Sequence, residues 1–496
     1  MNNSIGTERL YKIDRFVNEN PILRLFFSRT LLAFFYGTFL FLYEIKFLRE
    51  IVPVVHPFLI FWAGIIIVYD LLIRRIWQKV PFWKPLVLFL ISAAITAVIT
   101  AEAGLVTNVK AWIFTALPLF VFYPTCLTCE KDKVKKTLMV STIGSSIVVF
   151  LASLSAIIMY LIRFSKTVVF MGIEHTLGFV HYIPNDPESG VILYGAYMDT
   201  NHASIYALVF VCLSVLLFMF CKNELFSRKW LNELGKIYAI TNICVQLCYF
   251  PLANSRGGWL SLGIALFISS ALYFRFARLK ISGKFKKSCV AILLAIACVV
   301  VSVGGLLFVR FTVSKSAVVI DNIIEMVSMD DTQSGQEDKE WPSTDKFNKA
   351  DDGTGAGRLD IWKETVDLYT KRPVFGVGPG NTEYYGMKYD IAGTKIKRGT
   401  AVHNSYLDLL TEYGVVGFAL LAWFWILCVV AVVKDMVKNG TNRKLSHYVA
   451  AFTLLFICGG AAFLSCVFIN TTAMYFIMLT VTGYLISNLD VKGRAK

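Results

Sequence analysis

The chain has 496 residues, 56% of them hydrophobic and only 17% charged, with a mean hydropathy of +0.60. Soluble domains carry about 25% charged residues, so the composition points away from a soluble fold and towards a polytopic membrane protein. The net charge of +15 would suit a nucleic-acid binder, but its distribution along the chain argues otherwise.

Residues 1–25 are polar and basic. The first apolar run, at about 26–43, has no small-residue cleavage site behind it and reads as an uncleaved anchor. Further runs lie near 52–73, 82–101, 105–123, 138–162, 203–221, 237–253, 257–274, 289–309, 415–433, 447–466 and 471–488. Most are long enough to cross a bilayer core of about 30 Å. The expectation is an all-α polytopic fold of about twelve spans. The fourth is interrupted by Asn108, Lys110 and Pro118, and only the turn PLANSRGG separates the seventh from the eighth. No internal repeat is visible.

With the N-terminus inside, the inner segments hold 30 of the 49 Lys and Arg. The long outer segment holds 13 and the other outer segments together hold 6. Short loops thus obey the positive-inside rule, from which long loops are exempt. The basicity is a topology signal, and no nucleic-acid partner is expected. Both termini are expected in the cytoplasm.

Two outer segments are long, 163–202 and 310 to about 402. The expected division is spans one to nine within 1–309, a long outer segment at 310–414 between spans nine and ten, and spans ten to twelve with a cytoplasmic tail at 415–496. Residues 328–356 are polar and lack the apolar residues that offset ordering entropy, so mobility is expected there. Order should resume at Gly357. In RLDIWKETVDLY, Trp362, Val366 and Tyr369 recur at helical spacing. Pro373 should end that helix, and GVGPGN makes a tight glycine-rich turn.

Three residues stand out as candidates for chemistry. Arg256, in NSRGGWL, sits at the outer mouth of span eight. It either snorkels to headgroups or uses its guanidinium and the helix start to bind an anion such as a diphosphate. Arg358 opens its own helix, as a salt-bridge partner of Asp360 or Asp367 or as a second arm on the same anion. His403 precedes Asn404 and Ser405, both good helix N-caps, and the helix Tyr406–Tyr413 should end at Gly414 before span ten. It is either an interfacial capping residue or a proton acceptor at the membrane surface.

Weaker candidates surround these. Asp199, Asn201 and His202, in or beside GAYMDTN, either meet a sugar or phosphate or simply make a turn and cap. Asn404, Gly378 and Gly380 join Asp199 and Asn201 as candidate substrate-binding residues. His175 and His181 read as structural. Cys126 and Cys129 form a lone CxxC without the second pair that zinc requires, and read as free thiols. Asp330-Asp331 and Asp351-Asp352 make poor metal cages. No Walker, Rossmann or HExxH motif is present, and neither metal nor cofactor is expected. Few ionisable residues fall in mid-span, which argues against an ion-coupled transporter or a flippase.

The strings SRGGWL, GRLDIW with PVFGVGPGN, and HNSYLDLLTEYGVVG resemble the signature of the bacterial O-antigen ligase/polymerase family. GAYMDTN resembles that family's GxxxxxN segment. The resemblance implies a metal-independent glycosyltransferase of the bacterial plasma membrane with its active site on the outer face. Its donor would be an undecaprenyl-diphosphate-linked oligosaccharide, its acceptor a glycan, and its neighbours the lipid bilayer and other polysaccharide-assembly proteins. Arg256 and Arg358 would then engage the lipid diphosphate, and His403 would help activate the acceptor hydroxyl. Polymerisation of repeat units is the first expectation and ligation of a finished glycan the second. The segment 328–356 has no counterpart in the resemblance.

Overall fold

The computed structural model describes residues 2–76, 79–181, 191–279, 281–328, 357–464, 467–468 and 471–489. The polar insert after 328, with its two Asp pairs, lies outside the described residues. Each of the twelve apolar runs holds a helix: Arg29–Leu42, His56–Leu72, Trp83–Ile99, Leu105–Thr125, Val134–Leu161, Thr200–Lys222, Lys229–Ala253, Arg256–Leu272, Lys284–Ser328, Ser405–Asn439, Leu445–Ala461 and Ala473–Ser487. Among the described residues, six are long and apolar enough to cross a membrane, or seven when Leu48–Val54 and His56–Leu72, bent by 46°, count as one span. Four others are apolar but shorter. The chain is therefore a multi-pass helical protein, and the count of twelve crossings does not follow from helix length alone.

The bundle is built around Ala473–Ser487, in which every residue is buried. A helix apolar on all sides belongs at the centre. Glycine lets its neighbours come close: a Cβ on Gly37 would fall 2.4 Å from the Phe476 ring, and one on Gly483 would fall 2.4 Å from the Tyr123 carbonyl oxygen. Such small-residue contacts replace the hydrophobic drive that lipid does not supply. Nearby, a polar ladder ties three helices together. Asn242 donates to Ser214 (2.8 Å), Gln246 to Asn242 (3.0 Å) and Ser153 to Gln246 (2.8 Å), and Ser153 shares a bond with Tyr197 (3.0 Å).

Three features depart from the sequence reading. The fold is not all-α, because the segment 163–202 contains strands. This segment folds into a three-stranded antiparallel sheet, β1 (Ser165–Phe170), β2 (Ile173–His181) and β3 (Val191–Gly195), in the order β1-β2-β3. Met171 and Gly172 both have positive φ (52° and 80°), the geometry of a tight two-residue hairpin turn. His175 is buried in this sheet.

The helix of span nine does not stop near 309. It runs unbroken from Lys284 to Ser328, 45 residues or about 68 Å, roughly twice a bilayer core. Finally, the buried stripe of the Arg358–Lys371 helix is Ile361, Glu364, Thr365 and Leu368. It lies one residue out of phase with the Trp362, Val366 and Tyr369 repeat, because Glu364 turns inward to accept the Ile396 N–H at 2.8 Å.

The described part of the long segment, from 357 to 404, has its own small core of Ile361, Leu368, Val377, Tyr385, Ile391, Ile396 and Val402. Polar bolts fix it to the bundle. Thr96 donates to the Phe375 carbonyl (2.8 Å), Asn381 to Asn108 (2.9 Å), and Tyr385 to Glu102 (2.9 Å). Asn108, one of the residues that weakened the fourth apolar run, is fully buried and serves as an anchor.

Candidate functional site

Four helices begin around one site on the face that carries this small core. They are Thr200–Lys222, Arg256–Leu272, Arg358–Lys371 and Ser405–Asn439. Three have side-chain caps. Asp199 accepts from Asn201 N (2.6 Å), Ser255 from Gly258 N (3.3 Å), and Asn404 from Tyr406 N (3.1 Å) and Leu407 N (3.2 Å). The fourth starts at Gly357, in a left-handed conformation with no side-chain cap. Helix starts carry partial positive charge, so their grouping favours an anion.

Direct bonds and charge contacts knit these starts together. Ser255 donates to Asn201 Oδ1 at 3.0 Å, joining the second helix to the first. Trp362 donates to the Val402 carbonyl at 3.0 Å, joining the third to the residue before His403. The Arg358 guanidinium is close enough to Arg256 to be repelled by it and to Asp199 to be attracted. His403 in turn feels Arg358, Asp199 and His202. Arg256, Arg358 and His403 are thus neighbours in space, although long stretches of chain separate them.

Arg256 is exposed and is the first residue of its helix. The preceding Asn254 is left-handed (φ 46°) and ends the incoming helix, so the chain reverses in one tight turn. The two glycines that follow serve packing. A Cβ on Gly257 would lie 2.7 Å from Phe463 Cβ, and one on Gly258 would lie 3.0 Å from Ser204 Oγ.

Arg358 is half-buried. Burial, with Arg256 behind it, pulls the guanidinium below its usual range, while Asp199 opposes them. Asp360, one salt-bridge partner considered from sequence, instead lies 3.4 Å from Lys395 Nζ.

His403 also has positive φ (54°), which is uncommon for a residue with a Cβ and is held here by its neighbours on both sides. Burial lowers its pKa below the ordinary histidine value, Arg358 and His202 add to the effect, and Asp199 opposes it. These surroundings favour the neutral ring, the form able to accept a proton.

The glycine-rich turn has a different job from the one its sequence suggests. The Ser405–Asn439 helix is broken at Gly414 (φ 64°, ψ −175°). A break leaves carbonyls without partners on one side and N–H groups without partners on the other. The segment PVFGVG lies along the break and supplies both. Val377 N donates to Thr411 O (3.0 Å) and Gly378 N to Glu412 O (2.8 Å), while Val415 N donates to Pro373 O (2.8 Å) and Val416 N to Val374 O (3.2 Å). Gly380 N donates to Glu412 Oε1 at 3.0 Å. The amides of Gly378 and Gly380 are therefore engaged within the protein, and so is the Asn404 side-chain oxygen.

Sequence reasoning gave no role at the site to Trp362, Ser255, Glu412 or Glu44, whose carboxylate lies 3.8 Å from His202 Nδ1. Their partners are distant in sequence, and no local pattern signals such pairings. Among the described residues, no three His, Cys, Asp or Glu side chains are arranged to hold a metal.

No curated protein matches the chain. A family model described as O-Antigen ligase matches residues 241–422. That stretch contains Arg256, Arg358 and His403, the glycine-rich clasp and the broken helix. The match falls on the residues that converge in space, so this stretch of the chain is similar to the O-antigen ligase family.

Proposed function

We propose that the chain transfers glycan from undecaprenyl diphosphate to an acceptor sugar hydroxyl, and that it polymerises surface-polysaccharide repeat units. Arg256 and Arg358 bind the diphosphate. The acceptor oxygen attacks the anomeric carbon of the donor as the bond from that carbon to the diphosphate oxygen breaks. His403 takes the acceptor proton, and the electron pair leaves with the diphosphate, where the two guanidiniums stabilise it without a metal. Asp199 and Asn201 orient sugar or phosphate at the same point, while Asn404, Gly378 and Gly380 hold the frame. The lipid anchor of the donor supplies proximity. In this reading the site faces outward from a bacterial plasma membrane, twelve helices cross, and both termini are cytoplasmic.

The observation that carries the proposal is the grouping of two arginines and a histidine at four helix starts. A gene deletion separates the reaction types. Collapse of the surface-glycan ladder to a single repeat unit is the outcome for a polymerase. Accumulation of long lipid-linked chains with no final conjugate would assign ligation instead.

A further inference from the structure

The end of the first bundle helix reaches this site as well. Just beyond Arg29–Leu42, Glu44 to Lys46 pair with the backbone that leads into the Thr200–Lys222 helix. Lys46 N donates to Ala196 O (2.9 Å), Met198 N donates to Glu44 O (3.0 Å), and Ile45 bridges Tyr197. This pairing fixes the Glu44 carboxylate 3.8 Å from His202 Nδ1, and both side chains are mostly shielded from solvent. His202 stands in the first turn of its helix, next to Asn201, whose side chain bonds Ser255 beside Arg256.

We propose that His202, held by Glu44, is a third cationic contact for the donor's diphosphate and that Glu44 is its positioning residue. The inference rests on the reading of the site given above. A shielded carboxylate needs a positive partner, and an opposite charge this close favours the imidazolium form. An imidazolium is a donor at both ring nitrogens, so Nε2 remains for an anion while Nδ1 faces Glu44. Asp199 also lies within electrostatic reach of His202. The other groups around the ring are Tyr206 on its own helix, 6.1 Å between centroids, and His403 of the long segment. Arg358 in turn lies within electrostatic reach of His403.

The two histidines then divide the work. His403, surrounded by burial and positive charge, is the neutral base. His202, beside a carboxylate, carries charge. Opposite environments for two like groups in one site are a recurrent way to assign separate roles. The donor's diphosphate, esterified at both ends, carries two negative charges that two guanidiniums match; a further negative charge develops on it as the bond to the anomeric carbon breaks, and the third contact meets that charge.

Binding of undecaprenyl diphosphate to the purified full-length protein tests this. His202→Gln is expected to raise Kd about tenfold at pH 7, the loss of one charge-assisted contact. It should also remove the weakening of binding that wild type shows as pH rises and His202 loses its proton. Glu44→Gln should move that weakening about one pH unit lower, because the carboxylate no longer holds the imidazolium. His202→Lys should restore affinity at pH 7 without that pH dependence. Wild-type Kd and pH dependence in both His202→Gln and Glu44→Gln would overturn the inference. Arg358→Ala in parallel separates the two readings. If Arg358→Ala weakens binding and His202→Gln does not, only the third contact fails. If neither weakens it, the diphosphate site itself is wrong.

Discussion

At the scale of single residues, His403 carries the sharpest expectation. Its pKa lies below the ordinary histidine value through burial and Arg358, which favours the base form at pH 7. Activity should hold at neutral pH and fall only as pH drops through that lowered value. A pH–kcat profile from 5 to 8 checks this; an activity already half lost at pH 7 would contradict it. Removal of a general base costs typically about 10²–10⁴ in rate, so His403→Gln should fall in that range. Arg358→Lys keeps a charge but loses the planar fork that matches phosphate oxygens. It should raise the KM for the lipid donor about tenfold, the worth of one charge-assisted bond. The residue types and the family strings made these three groups legible in the sequence. Their convergence was not, because it depends on pairings such as Ser255 with Asn201 and Trp362 with Val402.

At the scale of elements, the broken helix and its clasp hold the site in place. His403 and Asn404 sit at the start of the short half, so the half must stay docked for the imidazole to stay placed. Gly414 has positive φ, and a Cβ there would fall 2.3 Å from the Val374 carbonyl oxygen. Gly414→Ala should destabilise the protein by about 1–3 kcal/mol or more through the strained backbone alone. Gly263 has open space around it within the Arg256–Leu272 helix. Gly263→Ala should be neutral or stabilising by up to roughly 1 kcal/mol. Thermal unfolding of the two purified variants in detergent compares them directly, and equal losses would argue against the clasp. The sequence announced a break at Gly414 and a turn at GVGPGN, but not that one satisfies the other. Those contacts are between backbone groups, which leave no side-chain signature. The sheet of residues 165–195 was hidden for a related reason. Its first strand is almost wholly exposed, so it lacks the alternation that marks a half-buried strand. Its Met171-Gly172 turn also lacks the common Asn-Gly signal.

At the scale of the whole molecule, the apolar runs made the helical architecture readable, since a membrane-spanning helix needs a long uncharged stretch. The length of the Lys284–Ser328 helix was not readable, because its polar half continues past the apolar run without a breaker. The proposed sidedness is open to labelling. In a background without the exposed Cys244 and Cys289, Thr394→Cys should react with an impermeant thiol reagent on intact cells, and Lys286→Cys should not. The reverse pattern would invert the topology. The account as a whole rests on Arg256, Arg358 and His403 forming one transfer site. The most direct test is transfer by purified protein supplied with lipid-linked repeat units in the presence of chelator. The account predicts that glycan chains form in chelator with wild type and fail to form with His403→Ala and with Arg358→Ala. Transfer that persists in both variants, or that requires added metal, would contradict it.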